Sequence, residues 1–187
     1  DVLFQFAILG SLFAENIYGI SKPKVGLLNI GEEKGKGNLL TQATYQLLED
    51  NDDINFVGNV EGRDLFNDKA DVIVCDGFTG NIALKTAEGT AKLFQSHLTD
   101  AFRSSLLSKV GYFLSSIALN SVKARLDPRV HNCGILMGLN SLVVKCHGQS
   151  EYRGVSYASD IVYSLLANNV NEKIKHYVSE IQDKLIK

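Results

Sequence analysis

The sequence predicts an α/β fold with a mostly parallel sheet covered by helices, and three observations carry that prediction. Short apolar runs alternate with amphipathic stretches of helical period, the order expected of strands joined by helical crossovers. The run VGLLNI at residues 25–30 is continuously apolar rather than alternating, which suits a strand buried on both faces. Two polar, glycine-bearing segments, GNVEGRD (58–64) and CDGFTGN (75–81), bracket one short apolar run. In such sheets, ligands bind outside the carboxyl ends of strands.

The elements follow in order. Residues 2–18 place Val2, Leu3, Phe6, Ala7 and Leu9 at helical spacing and read as a buried or half-buried helix. Gly19 and Pro23 separate it from the strand at 25–30. The loop GEEKGKGN follows, and Asn38 is a natural N-cap for a helix running through Glu49. Asp50–Asp53 is a polar turn, 54–57 the next strand, 58–64 a loop and 72–75 a third strand. From Asn81 to about Arg103 the pattern is helical, with Ile82, Leu84, Ala87, Ala91, Phe94, Leu98 and Phe102 near one face.

Residues 104–123 form a second helical region. Leu106, Leu107, Val110, Phe113, Leu114 and Ile117 make an apolar stripe, with serines over much of the rest. The stripe suits a helix packed in a core or dimer interface, and secondarily a surface helix dipping into a membrane. Pro128 breaks the chain next. Residues 135–136 and 142–145 are strand candidates, and residues 152–187 read as one final helical region.

The chain has 187 residues, 45% hydrophobic and 21% charged, enough for one domain with a real core. A net charge of −2 gives no global reason to expect nucleic acid as a partner. The three cysteines are well separated and contain no C-x-x-C pair, which points to free thiols in a reducing compartment. No apolar run reaches the roughly 18–20 residues of a transmembrane helix, and no signal peptide is expected. The chain opens on Asp1 and enters a helical pattern at once, so the front of a longer protein is expected to be missing.

The chemistry-bearing residues cluster around the two glycine segments. Gly77, Gly80 and Asn81 mark a strand-to-helix junction, where unpaired N–H groups suit an anion, or where a tight turn needs no ligand. The segment is neither a Walker A loop nor G-x-G-x-x-G. Lys85 falls one turn on, able to reach such an anion or to pair with Glu88. Asp76 suits substrate positioning or a helix cap. In the first segment, Arg63 suits bidentate contact with phosphate or carboxylate, or an ion pair with Glu61 or Asp64. Asn59 and Glu61 share that segment. Lys34 and Lys36 sit between glycines in a third loop that is either a solvated turn or a contact for an anionic partner. His147 precedes Gly148 after a strand-like run and faces either the same cleft or the interior. No Cys/His cluster suggests zinc, so no metal is expected. No G-x-S-x-G elbow suggests a serine hydrolase. The anion-friendly segments favour a reaction whose ligand supplies the nucleophile.

The segments VGLLNIGEE (25–33), GNVEGRD (58–64), CDGFTGN (75–81), LKTAEG (84–89) and GILMGLNSLVVKCHG (134–148) occur in this order and resemble the bacterial phosphate acyltransferases of phospholipid synthesis, the PlsX family. The resemblance runs across nearly the whole chain and corresponds to about the C-terminal half of that family's length. The segment LDPRVHNCG departs from the family's usual form, which bears on any role for residues 129–133.

The resemblance implies a three-layer α/β/α sandwich related to phosphotransacetylases and isocitrate dehydrogenase-like enzymes, present here in part. It implies transfer of an acyl group from acyl-acyl carrier protein to inorganic phosphate, with no cofactor beyond these substrates. A membrane glycerol-3-phosphate acyltransferase would use the acyl phosphate. The implied protein is a cytoplasmic homodimer with peripheral membrane contact through the region before LDPR. The implied site uses Asn81, Lys85, Asp76 and His147 in catalysis and Gly77, Gly80, Arg63, Asn59 and Glu61 in substrate binding. A nicotinamide-dependent dehydrogenase of the same fold and a non-catalytic carrier-protein-binding fragment are the alternatives.

Overall fold

The structure is a computed structural model that describes residues 2–125, 133–146 and 152–185. Strand β1 (Val25–Asn29) lies at the centre of a three-stranded parallel sheet, between β2 (Phe56–Glu61) and β3 (Val72–Val74). All five residues of β1 are buried, as the continuous apolar run predicts. Helix α1 (Val2–Tyr18) and helix α2 (Leu39–Glu49) pack against one face of the sheet. The core there joins Leu3, Phe4, Ala7 and Ile8 of α1 to Val25, Leu27 and Val74 of the sheet and Leu48 of α2. Burying such side chains contributes roughly 1.5–3 kcal/mol each, so α1 is integral to the fold. On the opposite face, Gly26 lies against Val60 and Ala70, where a Cβ would meet Val60 Cγ2 at 2.3 Å. Together these helices and strands form part of an α/β/α sandwich.

Two expectations are corrected at the motif segments. Residues 58–61 are not loop but the second half of β2, in register with β1 through Leu27–Asn59, Leu28–Val60 and Asn29–Glu61. Ladder pairing overrides the glycine signal. The register slips by one residue between Val25 and Leu27, and Gly58 takes up that slip at φ +89°. The helix expected from Asn81 starts four residues earlier, as α3 (Gly77–Arg103), because Asp76 caps it.

Helix α4 (Leu106–Arg125) follows, and the Ser105 hydroxyl accepts from the Ser108 N–H at its start. Helices α3 and α4 pack on each other, with Phe102 and Tyr112 edge to face at 5.3 Å. No residue of α3 is buried. The short strands β4 (Cys133–Ile135) and β5 (Val144–Cys146) pair antiparallel.

The expected C-terminal helical region consists of two helices, α5 (Tyr152–Ala167) and α6 (Val170–Leu185). Asn169 stands between them at φ +50°, a left-handed conformation that asparagine tolerates better than most residues. Leu165, Val170 and Ile174 then close on Leu9 of α1, giving that helix a second buried side.

Candidate active site at the carboxyl edge of the sheet

The strand order β2-β1-β3 means that the chain leaves β1 toward one neighbour and later returns on the other side. A crevice forms where connections diverge in this way, at the carboxyl ends of the strands. Three segments meet that edge: the loop after β1 (residues 30–38), the 3₁₀ turn Gly62–Asp64 after β2, and the start of α3 after β3. The motif segments therefore converge at one edge. A hollow of about 700 Å³ opens at the opposite edge, lined in part by Lys22, Asp53 and Asn55, and touches the motif segments only at Gly58.

At the start of α3, the Asp76 carboxylate accepts from the N–H groups of Phe78 and Thr79, each at 2.9 Å, and from the Thr79 hydroxyl. The Thr79 hydroxyl, its N–H and then that of Phe78 hold the Asp76 carboxyl below the usual carboxylate range. Asp76 is thus an ionised cap near neutral pH and a poor proton donor. It occupies two of the N–H groups that an anion would otherwise use. Gly77 faces open space, whereas a Cβ at Gly80 would sit 2.8 Å from Cys75 Sγ. Gly80 therefore serves the packing of strand end against helix. Burial, with Asp76 adjacent, pushes the Cys75 thiol up, which keeps it protonated and unreactive near neutral pH. Asn81 is exposed, with no side-chain hydrogen bond among the described residues. Lys85, about two turns into α3 rather than one, is exposed and pairs with Glu88 at 2.8 Å.

The turn after β2 is built on charge. Glu61 and Asp64 form a capping box across it. Asp64 also accepts from Asn67 at 2.8 Å and from Lys69 at 3.3 Å, and Lys69 reaches Glu32 of the β1 loop at 2.6 Å. The Asn67 amide, followed by Lys69, draws the Asp64 carboxyl down, and Lys69 does the same to Glu32. Lys69 is raised in turn, chiefly by Glu32. Sequence reasoning missed Lys69 because only the fold brings it to Glu32, 37 residues away. Arg63 lies at the outer rim of this network with its side chain 70% exposed, 3.2 Å from Glu61 and 3.7 Å from Glu32. Exposed pairs of this kind are worth about 0–1 kcal/mol. An incoming anion can therefore displace the acids on Arg63 and Lys85 at small cost.

Asn59 points inward rather than into the crevice and is 3% exposed. Lys34 is committed to Glu49 and lies over the Tyr45 ring. His147 and residues 129–132 lie outside the described residues. Among the described residues, no group of three or more His, Cys, Asp or Glu is placed to hold a metal ion. Among them also, no helix is long and apolar enough to cross a membrane.

Residues 1–173 match the protein family described as "Fatty acid synthesis protein". A protein of Rhodospirillum rubrum named phosphate acyltransferase is 46% identical over 96% of the chain and 52% of its own length. Relatives of the same name from Dictyoglomus thermophilum and Brevibacillus brevis are 42% and 44% identical over 98% and 92% of the chain. They are matched over 55% and 51% of their own lengths, so the chain spans about half the length of these curated relatives. The segments 25–33, 58–64 and 75–81, which reach the carboxyl edge, are among those that carried the resemblance, and with a family match reaching residue 173 the chain belongs to the phosphate acyltransferase family of fatty acid synthesis, PlsX.

Proposed function

We propose that the protein containing this chain transfers a fatty acyl group from acyl-acyl carrier protein to inorganic phosphate, giving acyl phosphate for phospholipid synthesis. The observation that carries this reading is identity above 40% to proteins named phosphate acyltransferase over more than nine-tenths of the chain. The geometry is compatible with it: the exposed Arg63 and a helix start capped by Asp76 both follow strands at the carboxyl edge of a parallel sheet.

In this reading, Arg63 and Lys85 hold a phosphate dianion beside Gly77. One phosphate oxygen attacks the thioester carbonyl carbon, and a tetrahedral oxyanion forms. Asn81 and the Gly77 N–H donate to that oxyanion, and donors of this kind are worth about 3–4 kcal/mol each in other acyl-transfer sites. The C–S bond then breaks, and the carrier protein leaves as thiolate and takes a proton from solvent or from His147. Phosphate is nucleophilic near neutral pH, so no strong base is needed and no acyl-enzyme forms. Asp76 acts by fixing the helix start, and Glu61 by orienting Arg63. Neither a metal nor an organic cofactor takes part.

The remaining partners belong to the same proposal. The protein works as a cytoplasmic homodimer with peripheral membrane contact, and delivers acyl phosphate to a membrane glycerol-3-phosphate acyltransferase. Arg63→Ala and Lys85→Ala, made in the product of the native open reading frame, test the site. Each is expected to raise the phosphate KM by roughly tenfold or more, the effect of losing a charge-assisted hydrogen bond. Wild-type kinetics in both variants would remove these residues from the site.

A further inference from the structure

Two buried amides stand directly beneath the carboxyl edge. Asn29 ends β1, and Asn59 lies in β2 two residues before Glu61, the register partner of Asn29; the two asparagines are 9% and 3% exposed. Asn29 Nδ2 donates to Asn59 Oδ1 at 3.1 Å and to the Lys36 carbonyl at 3.0 Å. Asn29 Oδ1 accepts from the Ile30 N–H at 2.9 Å, and Asn59 Nδ2 donates to the Glu33 carbonyl at 3.0 Å. The pair thus grips the loop after β1 at two carbonyls that flank Lys34 and Gly35. From outside, Lys69 holds the same loop through Glu32.

This arrangement has a physical rationale. Gly31, Gly35 and Gly37 fall within seven residues, so the loop is intrinsically free to take many paths. Buried amides are costly unless satisfied, and when satisfied they select one backbone path. Apolar residues at these two positions would pack the strand ends without holding the loop. Lys36 is the group this grip presents. It is exposed and makes no side-chain hydrogen bond or ion pair among the described residues, whereas Lys34, Lys69 and Lys85 each face a carboxylate.

We propose that Asn29 and Asn59 are positioning residues that hold the loop after β1 as a preformed wall of the cleft and set Lys36 against an acidic surface of the carrier protein. The inference rests on the acyl-transfer reading above. Neither asparagine touches the reacting atoms.

The test uses the product of the native open reading frame with Asn59→Ala, Lys36→Met and the double variant. Trypsin cleavage after Lys34 and Lys36, measured well below the melting temperature, is expected to speed up about fivefold or more in Asn59→Ala. The KM for acyl-acyl carrier protein is expected to rise roughly five- to tenfold in each single variant, with kcat within about twofold and the phosphate KM unchanged. The double variant is expected to be no worse than either single one, because both act through the same contact. Asn59→Leu keeps the side-chain volume, adds no ionisable group and loses both amide contacts. It gives the same trypsin and KM effects and replaces Asn59→Ala should that variant not fold. Unchanged trypsin cleavage, a fall in melting temperature with unchanged KM, a changed phosphate KM, or additive effects in the double variant would each overturn the proposal. If the unsubstituted protein forms no acyl phosphate, the acyl-transfer reading fails, and the trypsin comparison still decides whether Asn59 holds the loop.

Discussion

Gly37 shows how tightly the cleft wall is specified at the level of one residue. Its φ is +92°, and a Cβ there would lie 2.2 Å from Thr41 Oγ1 and 2.3 Å from Asn29 Oδ1. Gly37→Ala therefore meets both backbone strain and overlap, for an expected loss of about 2–4 kcal/mol. A shift of the denaturation midpoint at unchanged slope would check this. By contrast, Gly35 at φ +95° has open space around its Cβ direction and owes its glycine to conformation alone.

The Glu32–Lys69–Asp64 cluster makes a prediction about pH. Glu32 and Asp64 are depressed from 4.5 and 3.8, so they bind protons more readily in the unfolded chain. Their contribution is present above those values and is lost as pH falls through the depressed ones. Lys69 is raised from 10.5, so its contribution is full below that value and is lost as pH rises through the raised one. Lys69→Met is expected to flatten the acid limb of the stability profile below about pH 5. Asn67 keeps part of the depression at Asp64 in that variant, so some slope remains. An acid limb as steep as that of the unsubstituted protein would show that Lys69 does not tie the two loops together.

Among the elements, those made by local chemistry were the ones legible in the sequence. The apolar run at 25–30 reads as a doubly buried strand because both of its faces are covered. Asn38 reads as a cap because its side chain accepts from the Thr41 N–H within one turn. The GNVEGRD segment reads as loop because glycines are poor strand residues, yet pairing with β1 and a single bulge at Gly58 extend β2 through its first four residues, to Glu61. The early start of α3 was signalled by Asp76, whose capping role the sequence offered alongside substrate positioning. The break at Asn169 carried its own signal in the Asn168-Asn169 pair, masked by apolar periodicity on both sides. Asn59 and Lys69 were not legible in role, since their partners at Glu33 and Glu32 lie 26 and 37 residues away.

Helix α4 tests the second use of its apolar stripe. Leu106, Leu107, Phe113, Leu114 and Ile117 are all more than 75% exposed, so the stripe does not enter the core described here. Membrane contact predicts that Leu106→Glu with Phe113→Glu lowers co-sedimentation with liposomes several-fold while leaving the fold intact, since burying a charge in lipid is costly. Unchanged sedimentation, with loss of the dimer instead, would assign the stripe to the subunit interface.

At the scale of the whole molecule, helix α1 joins two hydrophobic clusters, one with the sheet and one with α5 and α6. That arrangement leaves the carboxyl edge of the sheet free for the motif segments. Arg63 and Lys85 are exposed and weakly engaged, whereas Lys69 is tied to Glu32 and Asp64. The chain spans about half the length of its curated relatives, so the decisive measurement uses the product of the native open reading frame. It is incubated with acyl-acyl carrier protein, with and without inorganic phosphate, and acyl phosphate and free carrier-protein thiol are quantified together. The account predicts equal amounts of the two products, formed only when phosphate is present. Thiol release without acyl phosphate, or no turnover of the thioester alongside reduction of an added nicotinamide, would contradict it.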